Sequence, residues 1–419
     1  MLLRYRSSYL RHLSFAGLFV IFIFCLFYCF DYLLQISISV FLPNIQQEFM
    51  LNDLQLGAIG AVFFISYSIM QIPSGYFLDH YGTKKTAILM TFFLTLGTLI
   101  MYLSNNYYLL LLSRLFIGLG ASAAFVTAIF ATAQWIPQRY FAFFIGVLQA
   151  LSGIGAIFGQ APIAFLNEKH TWNEIALLFA FVSFIFFIIF IFIIGSVKKD
   201  KNTQTFTLKK HNSNNNFAFS KIINKTILKL SILSFIAWSP VASLAGFWMV
   251  QYLHTRKGLT VIDSSSTIIT FWIGMILGAL LIPIISEILR KRKPILIIGF
   301  LIQLVAFIII CYNTTNITTI AICLFFLGLI SPIQGFCIVI AKDIFKKNNL
   351  GVTSSIINLF GVLSGGTMQL VIGFLLTYLF SNSKHPYIMS FYSYIILSLI
   401  GLVIAVFGIK ESHPFSVKL

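Results

Sequence analysis

Long apolar segments alternate with short polar ones along the whole chain. A helix that crosses the hydrocarbon core of a bilayer needs about 20 predominantly apolar residues. Twelve such segments lie near residues 17–41, 54–76, 86–104, 107–131, 140–165, 174–196, 227–252, 266–286, 294–312, 317–340, 351–380 and 387–409. A transmembrane β-barrel would show segments of about 10 residues that alternate apolar and polar positions, whereas Phe181 to Gly195 is almost continuously apolar. The pattern predicts an all-α membrane protein with twelve transmembrane helices, surrounded by a lipid bilayer.

Composition and charge agree with this class. The 419 residues are 59% hydrophobic and only 9% charged, whereas about a quarter of the residues of a soluble domain are charged. The net charge of +17 follows topology, because 23 of the 28 Lys and Arg residues lie in the termini and in alternate loops. The opposite loops contain only Lys169, Arg256, Lys257 and Lys384. The positive-inside rule therefore predicts that both termini are cytoplasmic, and no nucleic-acid partner is expected.

The five cysteines and the N-terminus add little chemistry. Every cysteine falls in an apolar run, and the chain contains no CxxC, so neither a disulfide framework nor a zinc site is expected. A basic start is followed by an apolar run too long for a secretory signal, which predicts an uncleaved first span. We expect no cofactor and no metal.

A polar interruption divides the chain into two similar parts. Residues 197–226 are rich in Lys and Asn and predict a cytoplasmic linker between six-helix halves at 1–196 and 227–419. Two features repeat at a nearly constant offset. Glu287 follows Asp79 by 208 residues, and Gly361-x-x-x-Gly365 follows Gly155-x-x-x-Gly159 by 206. Agreement of the two offsets favours an internal duplication, although small-xxx-small spacing is common wherever transmembrane helices pack.

The loop between spans 2 and 3 contains a distinctive motif. It reads Gly75-Tyr76-Phe77-Leu78-Asp79-His80-Tyr81-Gly82-Thr83-Lys84-Lys85 and resembles the signature loop of the major facilitator superfamily, with His80 where that family usually has Arg. The alternative is an ordinary short basic turn. The residues expected to form a conformational gating loop, with their counterparts after span 8, are Gly75, Asp79, Gly82, Lys84, Lys85, Glu287 and Arg290. We expect tight turns at Gly75 and Gly82, and Asp79 either caps a helix or pairs with the lysines.

The resemblance extends into spans 4 and 5. Span 4 contains Arg114-x-x-x-Gly118-x-Gly120-Ala121, and span 5 contains Gly146, Gly153, Gly155, Gly159 and Pro162. The tight Gly-Pro pair that the family's drug exporters carry in span 5 is missing, which disfavours efflux. The resemblance implies two pseudo-symmetric halves, a central cavity lined by spans 1, 4, 7 and 10, alternating access and a mostly monomeric protein.

Asp31 is the one acidic residue near the middle of a span. An aspartate there costs at least about 2.5 kcal/mol on insertion scales, so we expect it to bind a proton or to hold a partner charge. Tyr28, Tyr32 and Gln35 lie three residues before, one residue after and four residues after Asp31, and they could help to make this face of the helix polar. The functional interpretation is a proton-coupling site; the alternative is a structural ion pair that locks spans together.

Arg114 is the predicted partner of Asp31 across the cavity, where it would regulate the carboxylate or anchor a substrate. The alternative is that its side chain snorkels outward or binds backbone carbonyls of span 1. In the second half, prolines break spans 7 and 10 at Trp238-Ser239-Pro240 and Ser331-Pro332-Ile333-Gln334. Broken helices expose backbone polar groups, which are tolerated where they line a cavity. The predicted second-half substrate contacts are Trp238, Ser239, Gln334 and Asn358, and weaker candidates are Trp248, Gln251, Trp272 and Gln369.

Ser239 is also the expected repeat mate of Asp31, because it lies 208 residues later.

Enzymes, pumps and channels fit the sequence poorly. No Gly-Lys dipeptide is present, so there is no Walker A loop, and the histidines lie outside mid-membrane positions. An internal duplication with one buried acid suits alternating access better than a continuous pore. We therefore expect a proton-coupled symporter that imports a small polar metabolite, such as an amino acid, across a bacterial inner membrane. Residues 28–49 resemble bacterial amino-acid and nucleoside importers. The alternatives are proton-coupled efflux of amphipathic compounds and uptake of organic anions or nucleosides.

Overall fold

A computed structural model describes residues 15–135, 138–192, 224–312, 316–345 and 350–412, and every regular element in these ranges is a helix. Five long apolar helical stretches make up the first half. Span 1 is Phe15–Glu48, spans 2 and 3 share Asp53–Tyr102, span 4 consists of Tyr107–Ala121 and Ala124–Trp135, span 5 of Gln138–Phe158 and Ala161–Asn167, and span 6 is Trp172–Phe192. The predicted linker lies outside the described residues except for its last three positions.

The second half repeats this arrangement with three stretches of wider, π-helical turns. Span 7 consists of Lys225–Ser239, the π-helix Pro240–Trp248 and Met249–Lys257; span 8 is Val261–Leu289; span 9 is Lys293–Tyr312; span 10 consists of Ile317–Ile330 and Ile333–Phe345; span 11 of Leu350–Phe374 and the π-helix Leu375–Leu379; and span 12 of Pro386–Val403 and the π-helix Ile404–Gly408.

The 50-residue helix Asp53–Tyr102 accounts for two crossings. At 1.5 Å per residue it would extend about 75 Å, whereas the hydrocarbon core is about 30 Å thick. Gly82 divides it, because φ of 77° and ψ of 173° at that residue are not helical. The eleven long apolar stretches among the described residues therefore correspond to twelve spans, which confirms the predicted fold class.

Glycine contacts show that the two halves are built alike. A β-carbon at Gly118 of span 4 would collide with Phe63 of span 2, and one at Gly328 of span 10 would collide with Phe271 of span 8. The members of the second pair follow those of the first by 210 and 208 residues. These close approaches allow van der Waals packing between helices where lipid removes the hydrophobic drive.

The halves meet near one membrane surface, which we call the closed face and define by the loops at 49–52, 168–171, 258–260 and 380–385. Span 2 packs on span 11 there through Gly57 and Gln369, and deeper in the membrane span 5 packs on span 8 through Gly153 and Ile276. The Gln251 side chain of span 7 donates to the Gln46 side-chain oxygen of span 1 over 2.5 Å. Two further hydrogen bonds between the halves lie on the closed-face side of the described residues.

These two bonds run from the Leu54 N–H to the Thr377 hydroxyl and from the Gln160 amide to the Ala245 carbonyl. The opposite surface, the open face, contains Gly82. There a β-carbon at Gly75, Gly82, Gly146 or Gly335 would meet nothing within 4 Å. The three hydrogen bonds between the halves named here all lie on the closed-face side, and the halves approach each other there.

Candidate functional site

A central cavity lies between the two halves and encloses about 560 Å³, counting the part open to solvent. Spans 1, 2, 4, 5, 7, 10 and 11 contribute to its wall. The lining residues are Tyr28, Asp31, Tyr32, Gln35, Phe64, Tyr67, Phe125, Gln149, Trp238, Gln334, Asn358 and Val362. Seven of these were expected from sequence, and the structure brings them together from positions more than 300 residues apart.

Asp31 lies in the first-half wall and has an unsatisfied carboxylate. Its side chain is 2% exposed, and Oδ1 has no hydrogen-bond partner. The titratable groups that line the cavity around it are the phenols of Tyr28 and Tyr32 on span 1 and Tyr67 on span 2. The rings of Tyr28 and Tyr32 meet edge to face, with centroids 5.3 Å apart. A buried charge without a partner is costly, so a bound proton or cation would relieve the site.

The second-half wall is neutral and internally hydrogen-bonded. The Gln334 amide nitrogen donates to the Ser234 hydroxyl over 3.1 Å and to the Asn358 side-chain oxygen over 3.4 Å. Gly361, three residues after Asn358, makes this possible, because a β-carbon there would come within 2.9 Å of both Gln334 and Ser234. Gln334 and Asn358 thus hold each other in place and leave the Gln334 carbonyl and the Asn358 N–H groups for a solute.

Arg114 does not reach this cavity, contrary to the expected pairing with Asp31. It is 1% exposed; its Nε donates to the Ile59 carbonyl over 3.4 Å, and its guanidinium lies over the Phe63 ring at 4.7 Å. Asp31 is seventeen residues from Glu48 at the closed-face end of its helix, whereas Arg114 is seven residues from Tyr107.

At 1.5 Å per residue, these positions lie about 25 Å and about 10 Å below the same surface. The predicted pairing of Arg114 with Asp31 is therefore wrong. Arg114 instead binds a backbone carbonyl of span 2, whereas the alternative interpretation named carbonyls of span 1.

Ser239 is also absent from the cavity wall. It is fully buried, and its hydroxyl donates to the Ile236 carbonyl within its own helix over 3.0 Å. Neighbouring helical residues point about 100° apart, so Trp238 lines the cavity and Ser239 does not. The repeat mate of Asp31 contributes structure to span 7 rather than a solute contact.

The weaker candidates stabilise the packing around the closed face instead of lining the cavity. The Trp248 indole N–H donates to the Gln369 backbone carbonyl over 3.3 Å, and the Gln369 side-chain amide donates to the Ala242 backbone carbonyl over 2.8 Å. Ala242 lies in the π-helix that Pro240 begins. Gln251 bonds Gln46, and Trp272 is fully buried. The expected break in span 7 is thus present as a π-helix whose carbonyl groups accept bonds from span 11.

The loop between spans 2 and 3 differs partly from expectation. Gly82 forms the turn, but Gly75 lies within the helix that precedes it. Asp79 is exposed and forms no ion pair with Lys84 or Lys85 within the described residues. His80 stacks on the Tyr76 ring at 3.9 Å between centroids. Within the described part of the chain, Asp79 forms no ion pair with the second half either.

The counterpart loop after span 8 is held to span 10 and to Glu411 by ion pairs and hydrogen bonds. Arg292 forms ion pairs with Glu287 over 2.8 Å and with Asp343 of span 10 over 3.2 Å. The Glu411 carboxylate accepts from the backbone N–H groups of Arg292 and Lys293, over 2.8 and 3.2 Å. Glu287, which was predicted to belong to the gating loop, is part of this network. Arg290, predicted with it, ends the span 8 helix in a left-handed conformation with φ of 50°.

Sequence reasoning missed both distant members of this network and part of the cavity wall. Asp343 and Glu411 lie 51 and 119 residues from Arg292, and no local signal connects them. The unexpected cavity residues are Phe64, Tyr67, Phe125, Gln149 and Val362. Gln149 could have been found, because it interrupts an apolar run of span 5.

Comparison with known proteins identifies the architecture. The family model described as Major Facilitator Superfamily matches residues 20–291 and again 264–418. The uncharacterized transporter YybO of Bacillus subtilis is 25% identical over 407 residues, covering 91% of each chain. The D-galactonate transporter of Escherichia coli O6:H1 is 22% identical over 393 residues, covering 87% of this chain and 89% of that protein.

A solved structure has the same fold. The crystal structure of a D-xylose-proton symporter superposes with a TM-score of 0.71 at 16% identity, covering 94% of this chain and 96% of that one. The chain is thus similar to carriers throughout its length. These relatives give no support to the expected amino-acid and nucleoside branch.

Proposed function

Because the chain belongs to the major facilitator superfamily of secondary transporters, we propose that it is a proton-coupled symporter that imports a small polar solute by alternating access. Asp31 carries the proposal. It is a carboxylate in the central cavity, nearly inaccessible, with one oxygen that has no hydrogen-bond partner. A structural ion pair would require a cation, and none lies against Asp31 within the described residues.

The coupling follows from the cost of the unpaired charge. A proton on Asp31 leaves a neutral cavity that can close at both faces, whereas the ionised carboxylate raises the free energy of any state that excludes water. Solute and proton together would therefore favour the change between states. Loss of the Asp31 proton to the open face after the solute leaves would complete the cycle.

The open face is the cytoplasmic one in this proposal. The start of span 1 at Phe15, the Gly82 turn and the basic segment 290–293 lie on that side, and basic residues accumulate on cytoplasmic surfaces. The relatives named above come from bacteria, which supports a bacterial inner membrane, and the positive-inside rule supports cytoplasmic termini. The protein is proposed to act as a monomer, since each chain contains a complete cavity between its halves.

The solute class is open to two readings at this point. The sequence favoured an amino acid, which the relatives do not support. The D-galactonate transporter is named for a sugar acid, which agrees with the alternative of organic-anion uptake. The relatives' names give no support to efflux of amphipathic compounds.

The proposal is tested by reconstituting the protein in liposomes that contain a pH-sensitive dye. Sugars, sugar acids, amino acids, nucleosides and amines are added outside in turn. Acidification of the lumen that depends on one solute, and is absent from protein-free vesicles, would support proton symport. Solute uptake without acidification would contradict proton coupling, and alkalinisation would indicate exchange.

A further inference from the structure

The charge of the cavity restricts what it can bind. Its one ionisable group other than phenols is Asp31, and no Lys, Arg or His lines it within the described part of the chain. Proteins hold carboxylates with paired cations, most often through the two parallel hydrogen bonds of an arginine. A sugar acid in this cavity would have no such cationic partner. It would also lie near the Asp31 carboxylate, which repels it whenever Asp31 is ionised.

Arg114, the obvious candidate for an anion anchor, is already engaged elsewhere. Its guanidinium is directed to the Ile59 carbonyl and to the Phe63 ring, and it is 1% exposed. It lies about 15 Å closer to the closed face than Asp31 by helical rise. An anion in the cavity would therefore lie beyond the reach of this side chain in the observed state.

The remaining lining suits an uncharged molecule. Gln334 offers a carbonyl acceptor and Asn358 offers N–H donors, and Gln149 adds an amide with both capacities. Aromatic rings, including Phe125 and Trp238, provide flat surfaces against which a ring can stack. Specificity in small-molecule sites commonly comes from such apolar walls with a few placed polar groups.

We infer that the cavity selects an uncharged, ring-shaped polar solute, such as a sugar or a nucleoside, and rejects the sugar acids for which a relative is named. The inference rests on the proposed function, because a proton on Asp31 removes the attraction that would otherwise favour a cation. Import of a neutral solute with one proton moves a positive charge inward. Import of a singly charged acid with one proton moves none.

Matched solutes test this selection in counterflow, in which vesicles preloaded with one compound take up its labelled form. One set is galactose, galacturonate and galactosamine, which share a ring and differ in charge. A second set is galactitol and D-galactonate, and a third is uridine and orotidine, each pair differing by a carboxylate. The sugar and nucleoside sets also distinguish the two sources of a neutral ring.

We expect a neutral member of the galactose or uridine set to exchange at least about tenfold faster than its acid, because a buried carboxylate without a charged partner forfeits charge-assisted hydrogen bonds. An inside-negative potential, set with potassium and valinomycin, should increase its uptake. Faster exchange of an acid, faster exchange of galactosamine, or no exchange of any ring compound would overturn the inference.

The two proposals fail in different ways. Neutral-solute exchange without acidification or potential dependence would preserve the inference on the solute and refute proton coupling. Acid uptake accompanied by acidification would preserve coupling and refute the solute class.

Discussion

The two walls of the cavity differ in how their polar groups are satisfied. In the first-half wall, the Asp31 carboxylate has an oxygen without a partner. In the second-half wall, Gln334 bonds both Ser234 and Asn358. An unsatisfied charge makes a wall responsive to protons, and the hydrogen bond between Gln334 and Asn358 holds the other wall in one arrangement. Since the halves share an architecture, we propose a division of labour in which the first half couples and the second half recognises the solute.

The substitution Asp31→Asn leaves both cavity walls uncharged and should have the largest effect on solute accumulation. With one proton per solute, a gradient of one pH unit supports about tenfold accumulation, because one unit corresponds to about 1.4 kcal/mol. We expect the variant to equilibrate its solute without accumulating it. Uptake into vesicles under an imposed gradient measures the ratio. Undiminished accumulation would show that Asp31 does not couple transport to protons and would leave neither wall with a coupling role.

The substitution Gln334→Ala disturbs the other wall. It removes a solute contact and frees Asn358, so we expect apparent affinity to fall about fivefold, the equivalent of about 1 kcal/mol for a hydrogen bond. Accumulation at saturating solute should persist, because Asp31 is untouched. Concentration-dependent uptake separates the two quantities, and exposed Asn105→Ala is the control. Loss of accumulation with unchanged affinity would reverse the assigned roles.

The substitution Gly57→Ala tests whether both walls depend on the closed face. An added β-carbon would collide with the Gln369 backbone of span 11, and overpacking of this kind costs about 1–3 kcal/mol. We expect slower transport, measured as the initial rate of solute uptake into vesicles. Gly75→Ala is the matched control, because nothing lies within 4 Å of its β-carbon. Equal behaviour of both variants would show that the observed closure does not limit transport.

The substitution Arg292→Met should affect stability more than either wall. It leaves Asp343, whose side chain is 12% exposed, without its ion-pair partner. We expect unfolding to become easier by about 2 kcal/mol, less than for a fully buried pair, since the Glu287 side chain is 62% exposed. Thermal unfolding in detergent would show a lower Tm than exposed Lys291→Met, with solute affinity unchanged. A change in affinity without a change in Tm would connect this network to the cavity.

Sequence patterns predicted the fold because the bilayer imposes the length and apolarity of each span. They also identified Asp31, since a mid-membrane carboxylate is costly and therefore conspicuous. The pairing with Arg114 was wrong because depth was judged within spans whose ends were uncertain. Ser239 was misplaced because a repeat offset gives a helical position but not the direction of its side chain near a proline.

Contacts between distant segments could not be predicted at all. Glu411 reaches the backbone of Arg292 across 119 residues, and Gln334 reaches Ser234 across 100. Such partners depend on how spans pack, which a single sequence does not report.

The most direct test of the account is proton movement driven by the solute gradient alone. Coupling is reciprocal, so a transported solute added outside wild-type vesicles at equal pH must acidify the lumen. The account predicts acidification by the wild type and none by Asp31→Asn, although the variant still exchanges labelled for unlabelled solute. Equal acidification by both proteins would contradict the assignment of coupling to Asp31.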